Sequence, residues 1–163
     1  MIDAETRALA VRVLDACRAR KWMVATAESC TGGLVAGALT EIAGSSDVVD
    51  RGFVTYSNAA KMAMLGVPEA TLRQHGAVSR QTALAMASGA LARADVDLTV
   101  SITGIAGPGG GTPEKPVGLV HFAVATKDGG LAHREKRYGD IGRSEVRRLS
   151  VIEALSMLLE QAG

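Results

Sequence analysis

The chain has 163 residues, of which 47% are hydrophobic and 21% charged, while only 3% are aromatic. This length and composition exclude a disordered protein and predict one domain over residues 1–163 with an aliphatic core. Eighteen Lys and Arg residues against seventeen Asp and Glu leave a formal charge of +1. Such a balance excludes the large positive field that general nucleic-acid binding requires.

The cysteine content and the first residues of the chain indicate in which cellular compartment the protein is expected. The two cysteines, Cys17 and Cys30, are too few for a disulfide framework and lack a metal-ligand spacing. The first seven residues already carry three charges, which is wrong for a signal peptide. The longest uncharged stretch, 98–113, is interrupted by glycine and proline and cannot cross a bilayer as a helix. We therefore expect a cytoplasmic protein without membrane association.

The hydrophobic pattern predicts helices that alternate with strands. In chain order these are a helix over 6–20, a strand over 22–27, a helix over 34–42, a strand over 52–57, a helix over 58–65, a helix over 79–94, strands over 98–103, 118–127 and 131–138, and a helix over 144–161. Asp128-Gly129-Gly130 predicts an antiparallel hairpin between the last two strands. The order predicts a three-layer α/β/α sandwich with a mixed β-sheet, and Gly89 allows its helix a close contact.

The first candidate for chemistry is Glu28-Ser29-Cys30-Thr31-Gly32-Gly33, between a strand and a helix. A nucleophilic hydroxyl or thiol there could lie beside the unpaired amides of the helix start, which favour an oxyanion or a phosphate. Only one of the adjacent Ser29 and Cys30 side chains can point into a cleft. Capping of the helix by Ser29 or Thr31 explains the motif equally well.

The second candidate is Tyr56-Ser57-Asn58-Ala59-Ala60-Lys61, at another junction of strand and helix. A lysine acts as a base only when it is deprotonated, and burial beside Phe53, Met62 and Met64 would lower its pKa. No Asp or Glu lies between positions 51 and 67 to hold its charge. Without such burial, Lys61 would be an ordinary surface residue.

Two further segments could bind a ligand. The glycine-rich stretch 103–113 follows a buried strand and could present amides to a phosphate, although it matches no nucleotide-binding motif and could be a flexible crossover. Arg143 and Arg147 lie four residues apart, which predicts that both point to one face of the last helix. They could hold a phosphate or form a charged outer face.

Histidine and metal chemistry are not predicted. His75, His121 and His133 are scattered along the chain without an acidic motif nearby, and each is interpreted as structural. Neither of the ligand pairs His-x-x-x-His and Cys-x-x-Cys occurs. We expect no metal.

Five motifs together resemble those of the CinA carboxy-terminal domain family, the nicotinamide-nucleotide amidohydrolases. They are Ala-Glu-Ser-Cys-Thr-Gly-Gly at 27–33, Tyr-Ser-Asn-x-x-Lys at 56–61, Thr-Gly-Ile-Ala-Gly-Pro-Gly-Gly-Gly at 103–111, Lys-Pro-Val-Gly at 115–118 and Arg-x-x-x-Arg at 143–147. The resemblance implies hydrolysis of the carboxamide of nicotinamide mononucleotide to nicotinate mononucleotide and ammonia. This reaction is a salvage step in NAD metabolism, and the family needs no metal or cofactor for it.

The resemblance also assigns roles to individual residues. Ser29 becomes the nucleophile, Lys61 the base that accepts its proton, and Tyr56 a proton relay or orienting partner. The implied substrate contacts are Thr31, Gly32, Gly33, Asn58, Thr103, Gly104 and Arg143, the last near the substrate phosphate. Ile141-Gly142 stand before Arg143 where many relatives run Gly-Asp-Arg directly.

Other interpretations stay open at the level of sequence. A nucleotide-sensing module without turnover, or a competence or damage-response protein that acts through partners, would also retain the motifs. Family members often carry a larger amino-terminal domain, and this chain resembles the stand-alone form. Relatives commonly form homo-oligomers, and the Ala-rich helix 79–94 suits either a helix contact between subunits or the core.

Overall fold

A computed structural model describes residues 2–163, in which helices alternate with strands. The helices are α1 (Ala4–Arg20), α2 (Leu34–Thr40), α3 (Asn58–Leu65), α4 (Glu69–His75), α5 (Arg80–Arg93) and α6 (Arg143–Ala162), and the strands are β1 (Val24–Glu28), β2 (Val49–Val54), β3 (Leu98–Gly104), β4 (Leu119–Thr126) and β5 (Leu131–Arg137). A short 3-10 turn spans Ser45–Asp47. The α/β class predicted from the sequence is confirmed.

The five strands form one mixed sheet in the order β2-β1-β3-β4-β5. β1 pairs parallel with β2 and with β3, whereas β3, β4 and β5 pair antiparallel in succession. The predicted mixed sheet and its final hairpin are therefore confirmed. Because β1, β2 and β3 run in parallel, the loops that follow them leave the same edge of the sheet.

One face of the sheet packs against α1, α2 and α6 through the larger part of the core. Leu98, Val100 and Ile102 of β3 alternate toward this face, as the two-residue period of a strand requires. Their partners include Leu14 of α1 and Leu155 of α6, both buried. This aliphatic core matches the low aromatic content of the sequence.

The opposite face packs against α5 through small and hydroxylated side chains. The Thr99 hydroxyl donates to the Ala87 carbonyl at 2.8 Å, and the Ser101 hydroxyl donates to the Ala83 carbonyl at 2.6 Å. Each hydroxyl is thereby hydrogen-bonded although it is fully buried. Helices on both faces confirm the three-layer α/β/α sandwich.

The close contact predicted for Gly89 joins α5 to α3. A Cβ atom at position 89 would lie 1.9 Å from the carbonyl oxygen of Leu65, a backbone atom that cannot move aside alone. Gly89→Ala is therefore expected to lower the free energy of unfolding by more than ~2 kcal/mol, measured by urea denaturation. Gly37→Ala is the matched control, because a Cβ on that exposed helical glycine meets nothing within 4 Å. The control should be stabilised by ~0.5–1 kcal/mol, and equal losses in both variants would contradict the packing argument.

Some element boundaries differ from the predicted ones. α4 was not predicted, because it has seven residues and buries only Leu72 among them, too little for a helical pattern. β2 begins and ends three residues earlier than predicted, since it is an edge strand whose side chains are mostly exposed. These differences do not affect the edge at which the parallel strands end.

Candidate active site

A pocket of about 290 Å³ opens at the carboxyl edge of the parallel strands. Its lining includes seven of the predicted site residues, namely Ser29, Tyr56, Asn58, Lys61, Thr103, Gly104 and Arg143. They come from the loops after β1 and β2, from α3, from the end of β3 and from the start of α6. The topology thus brings together residues that are more than a hundred positions apart in the sequence.

Ser29 directly follows β1 at the floor of this pocket. Its amide donates to the Ile102 carbonyl of β3 at 2.9 Å, which extends the parallel pairing by one residue. The chain then turns sharply, and the Gly32 amide donates back to the Ser29 carbonyl at 2.9 Å. The Ser29 hydroxyl is therefore held at a fixed place, and the side chain keeps access to the pocket.

Lys61 lies on α3, and its side chain extends toward Ser29. Ser57 caps α3 by accepting a hydrogen bond from the Ala60 amide at 3.0 Å, which sets the helix start beside the end of β2. Lys61 is only 1% exposed, and its Nζ lies 3.0 Å from the Ser29 Oγ. The same Nζ donates to the Thr55 carbonyl at 2.8 Å. The two side chains on which the predicted chemistry depends are thus in direct contact.

Burial lowers the pKa of this lysine. Desolvation lowers the pKa of Lys61 below its ordinary value of 10.5, and the nearby Cys30 opposes this only in part. Its two hydrogen-bond partners, a hydroxyl and a carbonyl, are both uncharged. Met62 and Met64, which were expected to help bury the amine, are 37% and 41% exposed on the outer side of α3. The burial of the amine therefore does not come from these two methionines.

Cys30 is the neighbouring candidate nucleophile. It also lines the pocket, but burial raises the pKa of its thiol to about 12, so the group is protonated near neutral pH. The oxygen of Ser29, and not the sulfur of Cys30, lies within hydrogen-bond distance of the Lys61 amine. The geometry favours Ser29 over Cys30 as the candidate nucleophile.

Glu28 occupies the start of α2, which contradicts the expectation that this helix start is free for an anion. The fully buried carboxylate accepts hydrogen bonds from the Val35 amide at 2.9 Å and the Ala36 amide at 3.0 Å. It therefore takes the place of a phosphate or an oxyanion at the positive end of the helix. The helix cap comes from Glu28, and not from Ser29 or Thr31.

Thr31, Gly32 and Gly33, expected as substrate contacts, do not line the pocket. The Thr31 hydroxyl is fully buried and donates to Glu28 at 2.6 Å. Gly32 and Gly33 have positive φ angles of 56° and 102°, a backbone conformation that favours glycine. Their role in this structure is to turn the chain between β1 and α2.

Arg143 reaches across the mouth of the pocket. Its guanidinium donates to the Gly107 carbonyl at 2.9 Å and to the Tyr56 hydroxyl at 2.7 Å. Tyr56 is 61% exposed, and its hydroxyl contacts Arg143, not Ser29 or Lys61. Both the orienting function and the proton relay expected of Tyr56 stay predictions.

Arg147 binds a different segment from Arg143, so the two guanidinium groups do not act as the pair that their spacing suggested. Its Nε donates to the Cys30 carbonyl at 3.1 Å and its Nη2 to the Thr31 carbonyl at 3.4 Å. Arg143, the first residue of α6, instead turns toward the glycine-rich loop. Only Arg143 lines the pocket.

The remaining wall comes from the glycine-rich stretch 103–113 and from two residues that the sequence did not single out. Ile105 and Ala106 line the pocket with Gly107, Gly109 and Gly110, so the glycine-rich stretch is part of the site and not only a crossover. Ala77 and Val78 complete the wall from the loop before α5. The position of the glycines after a parallel strand was a usable signal, whereas nothing in the sequence marked Ala77 or Val78.

The histidines lie outside this pocket. His121 on β4 and His133 on β5 contact each other, with 2.9 Å between Nδ1 of the first and Nε2 of the second. Burial, with a smaller effect of His133, lowers the pKa of His121 to about 4.

Within residues 2–163, no group of three or more His, Cys, Asp or Glu side chains could hold a metal ion. In the same range, no helix has both the length and the apolar content to span a bilayer.

The fold and the site define an α/β protein with a buried serine–lysine pair at the carboxyl edge of its parallel strands. A hydroxyl beside an uncharged amine can act as a nucleophile, because the amine can accept its proton. The CinA C-terminal domain model matches residues 6–162, and the chain belongs to this family.

Individual relatives resemble the chain along nearly its whole length. Nicotinamide-nucleotide amidohydrolase PncC of Escherichia coli strain K12 is 54% identical over 99% of this chain and 97% of its own length. The crystal structure of the competence/damage inducible protein CihA from Agrobacterium tumefaciens superposes with a TM-score of 0.97 at 59% identity, covering 98% of this chain and 97% of that one. A longer CinA-like protein of Synechococcus sp. strain RCC307 is 52% identical over 95% of this chain, which spans 37% of its length.

Proposed function

We propose that the protein hydrolyses the carboxamide of nicotinamide mononucleotide to nicotinate mononucleotide and ammonia. The observation that carries this proposal is the 3.0 Å contact between the Ser29 hydroxyl and the buried Lys61 amine. The relative from Escherichia coli named nicotinamide-nucleotide amidohydrolase supports the choice of substrate. The reaction would serve pyridine-nucleotide salvage in the cytoplasm.

The proposed reaction begins with attack of Ser29 Oγ on the carboxamide carbon, while the hydroxyl proton moves to Lys61 Nζ. The tetrahedral intermediate then breaks its carbon–nitrogen bond, and Lys61 returns the proton to the nitrogen, which leaves as ammonia. Water attacks the resulting Ser29 ester with Lys61 again as the base, which releases nicotinate mononucleotide and restores Ser29. No step requires a metal or an organic cofactor.

The direct test is an ammonia-release assay over a panel of nicotinamide, nicotinamide riboside, nicotinamide mononucleotide and NAD. We expect the mononucleotide to have the highest kcat/KM, and EDTA to leave the rate unchanged. Binding of the mononucleotide without product after long incubation would instead identify a nucleotide-sensing module.

Arg143 is proposed to hold the substrate phosphate, because it is the one arginine that lines the pocket in the described chain. Loss of a charge-assisted hydrogen bond should cost ~1.5–3 kcal/mol of binding. Arg143→Ala is therefore expected to raise KM for the mononucleotide by roughly 10- to 150-fold, with kcat changed less than about fivefold. Nicotinamide riboside, which lacks the phosphate, is the control substrate in steady-state assays. An equal loss with both substrates would contradict a phosphate contact.

A further inference from the structure

The turn formed by residues 29–33 is held from behind by one side chain of α6. The Arg147 guanidinium binds two successive carbonyl oxygens of this turn, donating to Cys30 at 3.1 Å and to Thr31 at 3.4 Å. A Cβ atom on Gly32 would lie 3.3 Å from Arg147 Nη2, so the guanidinium packs directly against the turn. Arg147 therefore contacts the backbone that follows Ser29 and not the pocket.

These contacts determine which way the amides of the turn point. In a trans peptide the carbonyl and the next N–H point in opposite directions, so a fixed carbonyl also fixes that N–H. Binding of the Cys30 carbonyl directs the Thr31 N–H away from Arg147. Binding of the Thr31 carbonyl likewise directs the Gly32 N–H toward the Ser29 carbonyl, which it contacts at 2.9 Å. That contact in turn fixes the Cys30 N–H.

Few amides near Ser29 remain free to bind a ligand. The Ser29 amide donates to Ile102, the Gly32 amide to Ser29 and the Leu34 amide to Thr31. Glu28 accepts from the next two amides, those of α2. In the described part of this stretch, the amides that donate to no oxygen atom are those of Cys30, Thr31 and Gly33, and of these residues Cys30 lines the pocket beside Ser29.

We propose that Arg147 is a positioning residue that orients the peptide groups of the 29–33 turn so that the N–H group of Cys30 is an oxyanion-hole donor to the intermediate on Ser29. This inference rests on the proposed function for its reaction and deepens it. Glu28 is the second anchor, since its carboxylate binds the Thr31 hydroxyl at 2.6 Å. Donors fixed in advance stabilise a developing oxyanion more than donors that must reorient.

The kinetic test compares Arg147→Met, Arg147→Lys and Arg148→Met. Loss of oxyanion stabilisation is expected to lower kcat by about 10²-fold in Arg147→Met, with KM within roughly threefold. Arg147→Lys should recover part of the rate, because an ammonium can still donate to a carbonyl. Arg148→Met is the matched control, since that arginine binds Asp3 and Glu145 on the outside of the same helix. A normal kcat in Arg147→Met, or an equal loss in Arg148→Met, would overturn the inference.

A second test does not depend on turnover and uses pyridine-3-boronic acid. The Ser29 oxygen adds to the vacant orbital of boron, its proton moves to Lys61, no bond to boron breaks, and the product is a tetrahedral boronate anion. Boron NMR reports this adduct, and nicotinamide serves as the planar ligand that makes no such bond. We expect Arg147→Met to weaken the boronate by about 10²-fold and nicotinamide by less than threefold.

The outcomes separate this inference from the proposed function. Equal boronate affinity in Arg147→Met and wild type, equal weakening of both ligands, or no tetrahedral adduct in wild type would each overturn the positioning function. Ammonia release by wild type together with an unaffected Arg147→Met variant would leave the proposed function intact and refute this inference. Selective boronate weakening in a protein that releases no ammonia from nicotinamide nucleotides would support the positioning function of Arg147 and refute the proposed hydrolysis.

Discussion

Ser29→Ala is expected to lower kcat for amide hydrolysis by about 10⁴-fold or more while the protein remains folded. The variant removes the only atom proposed to bond to the substrate carbon, so the remaining groups can bind substrate but cannot form the ester. The lost hydrogen bond to Lys61 should change the free energy of unfolding by only ~0.5–1.5 kcal/mol. Ammonia release and urea denaturation measure the two quantities separately.

Cys30→Ser is the matched control for this prediction. Cys30 lines the same pocket, but its thiol is protonated near neutral pH and is not the group in contact with the Lys61 amine. We expect kcat within about fivefold of wild type, because the backbone amide at position 30 is retained. Activity that survives Ser29→Ala and disappears in Cys30→Ser would transfer the nucleophile to the thiol.

The sequence was sufficient to predict the three-layer architecture, the mixed sheet and its final antiparallel hairpin. It also placed the 28–33 and 56–61 motifs at junctions of strand and helix, but the parallel pairing that brings these junctions to one edge is seen only in the structure. The contact between Ser29 and Lys61 could not be predicted from the positions of the two residues in the sequence. It depends on the tertiary packing of α3, which contacts α5, and nothing in the spacing of 32 positions encodes a distance of 3.0 Å.

The incorrect predictions arise where a side chain's partner is remote in sequence. The amides at the start of α2 were expected to be free for an anion, but the buried Glu28 side chain accepts hydrogen bonds from those of Val35 and Ala36. Arg143 and Arg147 share a helical spacing, but Arg143 is at the first residue of α6 and turns to the loop at Gly107. Helical periodicity determines the direction in which a side chain leaves the helix. It does not determine where the end of a long, flexible side chain lies.

Lys61→Met is expected to lower kcat by about 10²- to 10⁴-fold, the range typical of a lost general base. Methionine has nearly the length of lysine without its charge, so the pocket keeps its shape. Two changes in stability oppose each other: the variant no longer buries an amine, but it leaves the Thr55 carbonyl without its donor. We therefore expect a free energy of unfolding within about 2 kcal/mol of wild type at pH 7.

The pH dependence separates a base from a structural lysine. Since only the neutral amine can accept the Ser29 proton, wild-type kcat/KM should rise with pH through the lowered pKa of Lys61 and level off before the ordinary value of 10.5. The residual activity of Lys61→Met should lack this rise. A parallel pH profile in both proteins would contradict the assignment of Lys61 as the base.

The free energy of unfolding should also depend on the titration of Lys61. Between the lowered pKa in the folded protein and the ordinary 10.5 of the unfolded chain, the unfolded state binds the extra proton. The free energy of unfolding of wild type therefore rises with pH across that window, and the contribution is lost as the pH falls. In Lys61→Met this slope is absent, so the stability of the variant relative to wild type should be highest below the window and decline toward pH 10.5. Urea denaturation at several pH values measures the difference, and a pH-independent difference would mean that Lys61 is charged in the folded protein.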